Sequence, residues 1–259
     1  CEAIYELEKL GIDEDHARTI WAEPGDDYFL REGTENIVWH TQIITDHGFS
    51  ESPLVAIKET SDIDFEGATQ IFIFMKNHPN LFAVTTATLD QLNLSIQDAR
   101  IMTSNNRNAV DTYIVLDENG DAIGNDPARI DQIKKTLTHA LSTPEEYSSV
   151  IQRRTPRQLK HFQVPTQVTL SNDPVMMRTV LEVIAADRPG LLARMGEFFM
   201  THNLLMHSAK IMTEGERISD IFFISDCNDK PISDPDLCLH IQEEICEILD
   251  QQVEAQQKI

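Results

Sequence analysis

The sequence predicts an α+β protein in which a helical N-terminal segment is followed by two copies of one β-α-β-β-α unit. Two observations support this prediction. Residues 71–103 align without a gap on residues 181–213, and both stretches end in Ile-Met-Thr. In each copy, an apolar run rich in Ile, Phe and Val precedes a segment of helical periodicity, which is followed by two further strand-like runs.

The elements of each copy are justified in order by their patterns. Apolar runs predict first strands at 70–75 and 180–185, and a Pro-containing turn follows each. The next segments have helical spacing: Leu191, Met195 and Phe198 form one apolar face in the second copy, whereas threonines dilute the face at 80–92 in the first. Short polar connections then predict two hairpins, 94–103 with 109–116 and 204–213 with 217–225. A second amphipathic helix closes each copy.

A further apolar run at 162–170 predicts a last strand for the first copy, which makes it a ferredoxin-like βαββαβ domain spanning 67–171. The second domain then spans 172–259. Its last strand is expected to be missing, to come from elsewhere, or to lie within 174–178. Residues 1–66 do not match the repeat and read as two or three short helices plus a connector, with Thr34 as a helix N-cap.

Charge and composition limit the function classes. The 259 residues carry 21 Lys+Arg against 43 Asp+Glu, a net charge of −22. Phosphates would repel such a chain, which argues against nucleic acid or an anionic membrane as a partner. No apolar run approaches the ~20 residues of a membrane helix.

The four cysteines form no CxxC pair, so a cytoplasmic chain with reduced thiols and no structural zinc is expected. A chain that begins at Cys1 reads as a fragment of a longer protein.

The turn between first strand and first helix is the candidate binding point of each copy. In the second copy, Asp187 could hold an ammonium group, and Gly190 lets a ligand approach the backbone at a helix N-terminus, which favours anions. A purely structural role for Asp187 as an N-cap is an alternative compatible with binding. In the first copy Asn77 and Asn80 replace these residues, so that turn is expected to be a weaker ammonium trap.

The strand–Asp-Arg-Pro-Gly-Leu-Leu–helix pattern at 187–192 resembles the ACT domain, a small regulatory module that binds amino acids. Four ordered stretches resemble more specifically the C-terminal region of the bifunctional PII uridylyltransferase/uridylyl-removing enzymes; these are 26–44, 80–120, 153–168 and 187–226. The resemblance implies glutamine sensing, with high glutamine favouring deuridylylation of the PII protein. It also implies contacts with PII and with the catalytic domains that residues 1–66 would join.

The expected glutamine ligands follow from this resemblance. First in rank are Asp187, Gly190 and Leu191; Asn77, Asn80 and Leu81 are second; His207 is added because it aligns with Gln97 on a strand that could form the interface. Neither the Gly-Ser turn with paired Asp nor the His-Asp cluster that the family's chemistry requires is found. No catalytic residue, metal site or cofactor is therefore expected here, and Mg²⁺ is expected only for the parent enzyme.

Two other readings remain open. The chain could be a stand-alone tandem-ACT protein that binds a partner regulator, or the ACT tail of another enzyme of amino-acid metabolism. The basic stretch at 153–160 is either an ordered linker or a latch onto an acidic surface.

Overall fold

The computed structural model describes residues 2–22, 26–48, 50–60, 65–78, 80–102, 108–124, 126–143, 165–188, 190–215 and 217–256. The basic stretch at 153–160 and the prolines of the two candidate turns, Pro79 and Pro189, lie outside these ranges. The N-terminal part forms four helices: α1 (Glu2–Lys9), α2 (Glu14–Trp21), α3 (Asp26–Arg31) and α4 (Thr34–His47). Helix α4 begins one residue after its N-cap Gly33, so the expectation that Thr34 is the cap was wrong.

The first repeat consists of β1 (Leu54–Glu59), β2 (Thr69–Lys76), α5 (Leu81–Gln91), β3 (Ser95–Arg100), β4 (Asn108–Leu116) and α6 (Pro127–Ser142). The second consists of β5 (Gln167–Asp173), β6 (Arg178–Ala186), α7 (Leu191–Thr201), β7 (Leu205–Lys210), β8 (Thr213–Glu214), β9 (Arg217–Ser225) and α8 (Pro235–Gln256). The β-α-β-β-α order predicted for both copies is confirmed, as is the α+β class.

All strands of the described chain join one nine-stranded sheet in the order β1-β2-β4-β3-β7-β9-β6-β5, with β8 attached to β9. The sequence-based placement of the extra strand was wrong. Strand β5 pairs antiparallel with β6 of the second repeat, and β1 pairs in the same way with β2 of the first. Each repeat therefore receives its edge strand from the chain before its first strand, and each edge strand occupies the outer edge of the common sheet.

The two repeats differ in how their sheets are covered. Every residue of β2 from Thr69 to Met75 is buried, because α5 and α6 cover one face and the N-terminal helices pack their Ile20, Ile37 and Ile44 on the other. Strand β6 instead alternates buried and more open positions, and Glu182 points to solvent. The sequence reflects this difference: β2, covered on both faces, has an unbroken apolar run, whereas in β6 the apolar run is interrupted by Glu182 on the more open face.

Helices α5 and α7 join the repeats at a close contact. A Cβ atom at Gly196 would lie 2.7 Å from the Ala83 Cβ, so the backbones approach as closely as glycine permits. A Cβ at Gly190 would lie 3.8 Å from Oδ2 of Asp90, so the start of α7 meets the end of α5 and the helices run antiparallel. Within the described ranges, no helix is both long and apolar enough to cross a membrane.

Candidate functional site

A cavity of about 370 Å³ lies where the two repeats meet. The second repeat contributes the turn from β6 into α7, and the first contributes the end of α5, the start of β3 and the turn after β4. A volume of this size suits a small ligand. The lining side chains on which the argument depends are Asp90, Asn93, Ser95, Gln97, Asp117, Asp187, Gly190, Leu191, Thr213 and Asp220.

The wall formed by the second repeat depends on Gly190. This residue precedes α7 in a left-handed conformation with φ 78°, which a residue with a Cβ adopts only at a cost. The matching residue in the first repeat, Asn80, has φ −100°. The two turns therefore differ in backbone geometry as well as in sequence, and only the second brings a helix N-terminus to the cavity with no side chain in front of it.

The antiparallel packing of α5 and α7 places opposite helix ends on the two sides of the cavity. The N-terminus of α7 carries partial positive charge and unpaired N–H groups. The C-terminus of α5 carries partial negative charge and is followed by Asn93 in a left-handed conformation, φ 57°. The half-buried Asp90 adds a carboxylate at that end. A zwitterion is the kind of ligand that such a pair of ends stabilises.

The carboxylate of Asp220 forms part of the cavity wall. Its side chain is buried, and Oδ1 accepts a hydrogen bond from the Met212 N–H at 3.1 Å. Burial, together with the nearby charge of Asp187, raises the pKa of Asp220 to about 8, although the Met212 hydrogen bond acts in the opposite direction. Oδ2 of Asp220 accepts no hydrogen bond from the part of the chain that the structure describes.

Asp187 is also shifted by its surroundings. Burial raises its pKa, although a hydrogen bond from the Arg188 N–H acts in the opposite direction. A cationic group entering the cavity would favour ionisation of both Asp187 and Asp220.

Arg188 is the one basic side chain among the described lining residues, and it is engaged elsewhere. Its Nη1 donates to the Leu249 carbonyl oxygen at 2.7 Å, which ties the start of α7 to α8. On the opposite wall, Asp117 accepts from the Asn119 and Asp121 N–H groups at 2.8 and 3.0 Å, and these bonds lower its pKa. The cavity is thus acidic, with a helix N-terminus as its main feature of positive potential.

The structure places the first-rank sequence predictions together: Asp187, Gly190 and Leu191 all line the cavity. The other predicted ligands do not line it. Asn77, Asn80 and Leu81 lie at the start of α5, at the opposite end of the α5–α7 pair. His207 lies on β7, where its Nε2 contacts Ser225 Oγ at 2.7 Å and Asp229 Oδ1 at 3.3 Å. Binding by these four residues stays a prediction.

Sequence reasoning missed the residues of the first repeat that face Asp187. Asp90 lies on a helix that was predicted correctly, but its approach to the second repeat follows from helix packing that no local pattern reveals. Gln97 was expected on a strand that could form the interface, but not among the ligands. The sequence does indicate Asp220, because this acidic residue directly precedes the apolar run Ile221–Ile224 of its strand and aligns with Asp111 of β4. Asp111 is likewise buried, accepts from the Met102 N–H at 3.3 Å and has a pKa raised by burial to about 8.

Comparisons with known proteins identify relatives of the whole chain. Residues 1–43 match a family model described as the uridylyltransferase GlnD fifth domain. The chain is 50% identical over 254 residues to the bifunctional uridylyltransferase/uridylyl-removing enzyme of Stutzerimonas stutzeri, covering 98% of the chain and 28% of that enzyme. It is 52% identical over 243 residues to the enzyme of the same name from Azotobacter vinelandii, covering 94% and 27%. Its length is therefore little more than a quarter of these relatives.

Proposed function

This chain belongs with the C-terminal region of the bifunctional uridylyltransferase/uridylyl-removing enzymes, and from that premise we propose that it is a glutamine-sensing regulatory region. The ligand site is the cavity between the repeats. In the enzyme that contains it, high glutamine favours removal of uridylyl groups from the PII protein, and low glutamine favours their addition. The chemistry belongs to other domains of that enzyme.

The observation that carries this proposal is the meeting of the two helix ends in an acidic cavity. The α-carboxylate of an amino acid fits the N–H groups at the start of α7, where Gly190 leaves the backbone accessible. Its α-ammonium fits Asp187 and Asp220, because burial raises the pKa values of both carboxyl groups and a cation beside them would favour their ionised forms. A neutral amide side chain then adds no charge to a cavity that already holds several carboxylates, whereas the second carboxylate of glutamate would be repelled.

A route from the cavity to the helical segment is provided by β3. Ser95 and Gln97 at its start line the cavity. Arg100 at its end contacts Glu32, in the joint between α3 and α4. A ligand can shift the balance between two arrangements only if it binds one of them better. We therefore place the regulatory coupling in a movement of β3 relative to the α3–α4 joint that glutamine favours or opposes.

A thermal-shift panel tests the proposed ligand. The melting temperature of this chain is measured with glutamine, glutamate and asparagine at equal millimolar concentrations. Glutamine should raise it in a saturable manner, because a ligand that binds only the folded state stabilises by mass action. Glutamate should raise it less because of its second negative charge. Equal responses to all three, or none, would contradict the assignment and favour the alternative of an interaction module that binds a protein partner.

A further inference from the structure

A cluster of two histidines and a glutamate joins α7 to α8 away from the cavity. His202 caps the C-terminus of α7, while His240 and Glu244 lie one turn apart on α8. Glu244 Oε2 lies 3.0 Å from His202 Nε2 and 3.3 Å from His240 Nε2. One ligand atom from each of the three residues lies within 4.8 Å of the other two.

The orientation of His202 is fixed by its other nitrogen. Nδ1 lies 3.0 Å from the Phe198 carbonyl oxygen, and the ring stacks on Phe198 with 4.1 Å between centroids. A carbonyl oxygen only accepts, so Nδ1 carries a proton. In the neutral imidazole, Nε2 then presents a lone pair to a carboxylate oxygen. Two facing lone pairs at 3.0 Å are repulsive unless a cation, either a proton or a metal ion, lies between or beside them.

We propose that His202, His240 and Glu244 form a binding site for a divalent transition-metal ion of the zinc type. Ligands held at about 2.0–2.1 Å around a tetrahedral ion lie roughly 3.3 Å from one another, close to the two histidine–glutamate distances of 3.0 and 3.3 Å. Imidazole nitrogens with one carboxylate suit Zn²⁺ and its neighbours better than Mg²⁺. A metal-binding histidine commonly donates its second N–H to a backbone carbonyl, as His202 does to Phe198.

The position of the cluster gives the site a structural role. Helix α7 is tied to α8 near its start by Arg188 and Leu249, and a metal ion would tie its end. Because the start of α7 forms one wall of the cavity, a clamp at both ends holds that wall in a fixed position. No metal site was expected from the sequence, since His202 and His240 lie far apart in the chain and only the His240–Glu244 spacing is local.

Metal binding is tested by titrating the chelator-treated chain with Zn²⁺ in the presence of a competing chromophoric indicator. Two variants of the chain are titrated in the same way. His240 is largely exposed, so His240→Ala should fold normally. Glu244→Gln removes the negative charge and keeps the size of the side chain. Loss of an outer partner of a metal ligand alone costs 10–100-fold in affinity, so loss of a ligand should cost at least about tenfold. The matched control is His139→Ala, which removes an exposed histidine from α6.

The expected result is one site that His139→Ala leaves intact and that His240→Ala and Glu244→Gln weaken. The cysteines on α8 are common to all four proteins, so zinc held by thiolates would be unchanged by the substitutions. The site's Co²⁺ spectrum should also lack the intense thiolate charge-transfer band. Equal affinity in all four proteins, or no saturable binding, would overturn the proposal and leave a proton shared between His202 and Glu244 as the explanation of the cluster.

Discussion

Arg100 Nη1 lies 3.1 Å from Oε2 of Glu32, and this ion pair connects the sheet to the N-terminal helices. The Glu32 side chain is fully buried and that of Arg100 is 16% exposed. Asn36 Nδ2 also donates a hydrogen bond to Glu32 Oε2 at 3.0 Å, and Arg100 Nε donates one to Asp98 Oδ2 at 3.1 Å. Burial raises the pKa of Glu32, and the charge of Arg100 opposes that rise. The pair therefore keeps a charge buried at the end of the strand that begins at the cavity.

A double-mutant cycle tests this connection. Removing one partner of a buried pair typically costs about 3–5 kcal/mol, because it leaves an uncompensated charge, whereas replacing both costs less. We expect Glu32→Met and Arg100→Met each to lower the free energy of unfolding by several kcal/mol, and the double variant to lose clearly less than their sum. Urea denaturation measures the free energy of unfolding of the wild type, the two single variants and the double variant. Additive losses would show that the two residues are not energetically coupled.

Gly190 is expected to be required for binding as well as for backbone geometry. Gly190→Ala places a Cβ at φ 78° and 3.8 Å from Asp90 Oδ2. Gly11→Ala is the matched control, since Gly11 has φ 79° with no heavy atom near its Cβ position. The left-handed conformation should cost each variant about 1–2 kcal/mol. Glutamine titration should show weaker binding for Gly190→Ala and unchanged binding for Gly11→Ala; equal affinities would contradict the site.

Gly196→Ala tests the junction between the repeats. In an open helix, Gly to Ala stabilises by about 1 kcal/mol. Here the new Cβ would meet Ala83 Cβ at 2.7 Å and the Ala83 backbone at 2.8 and 2.9 Å, so the helices must separate. Overpacking of this kind costs about 1–3 kcal/mol. The melting temperature should therefore fall, and glutamine affinity should fall with it because the cavity lies along the same helix pair. A rise in melting temperature would contradict the close packing.

The buried carboxylate of Asp220 predicts a defined pH dependence. An unfolded Asp ionises near pH 4, whereas folded Asp220 ionises near pH 8. Between these values the folded state keeps a proton that the unfolded state has lost, so the free energy of unfolding falls by about 1.4 kcal/mol per pH unit for this group. Asp220→Asn cannot ionise, and its amide oxygen still accepts from Met212. It should flatten the decline in stability between about pH 5 and 8.

A control for that experiment is Asp226→Asn. Backbone N–H groups lower the pKa of the partly exposed Asp226, so its contribution to stability is present above about pH 4 and is lost as the pH falls from there through the lower pKa of the folded state. This variant should leave the slope between pH 5 and 8 unchanged. Asp111, with a pKa of about 8, retains its own contribution in both variants. Identical slopes for the wild type and Asp220→Asn would show that Asp220 is ionised in the folded state.

Local patterns explain which parts of the fold the sequence predicted. The apolar runs of β2 and β6 and the spacing of Leu191, Met195 and Phe198 record burial directly, because each element must hide one or both of its faces. The repeat made the prediction stronger by presenting the same pattern twice. The turn from Asp187 to Leu191 was also found, since glycine before a helix start and an acidic residue beside it are local features.

The parts that were missed depend on contacts between distant segments. Residues 167–173 have the same apolar alternation whichever sheet they join, and only their pairing with β6 assigns them to the second repeat. Asp90 reaches the cavity because Gly196 allows α7 to approach α5, which is a relationship between helices 113 residues apart at Ala83 and Gly196. His202, His240 and Glu244 likewise meet only because α7 and α8, which are separate in the chain, pack against each other.

The central claim is that this chain binds glutamine at the cavity between its repeats, and calorimetric titration of Asp187→Ala beside the wild type tests it most directly. Asp46→Asn, which removes an exposed carboxylate from α4, is the control for net charge. Saturable binding to the wild type and to Asp46→Asn, weakened at least about tenfold by Asp187→Ala, is the predicted result, since a charge-assisted contact is worth about 1.5–3 kcal/mol. Binding that Asp187→Ala leaves unchanged, or no binding of glutamine to the wild type, would contradict it.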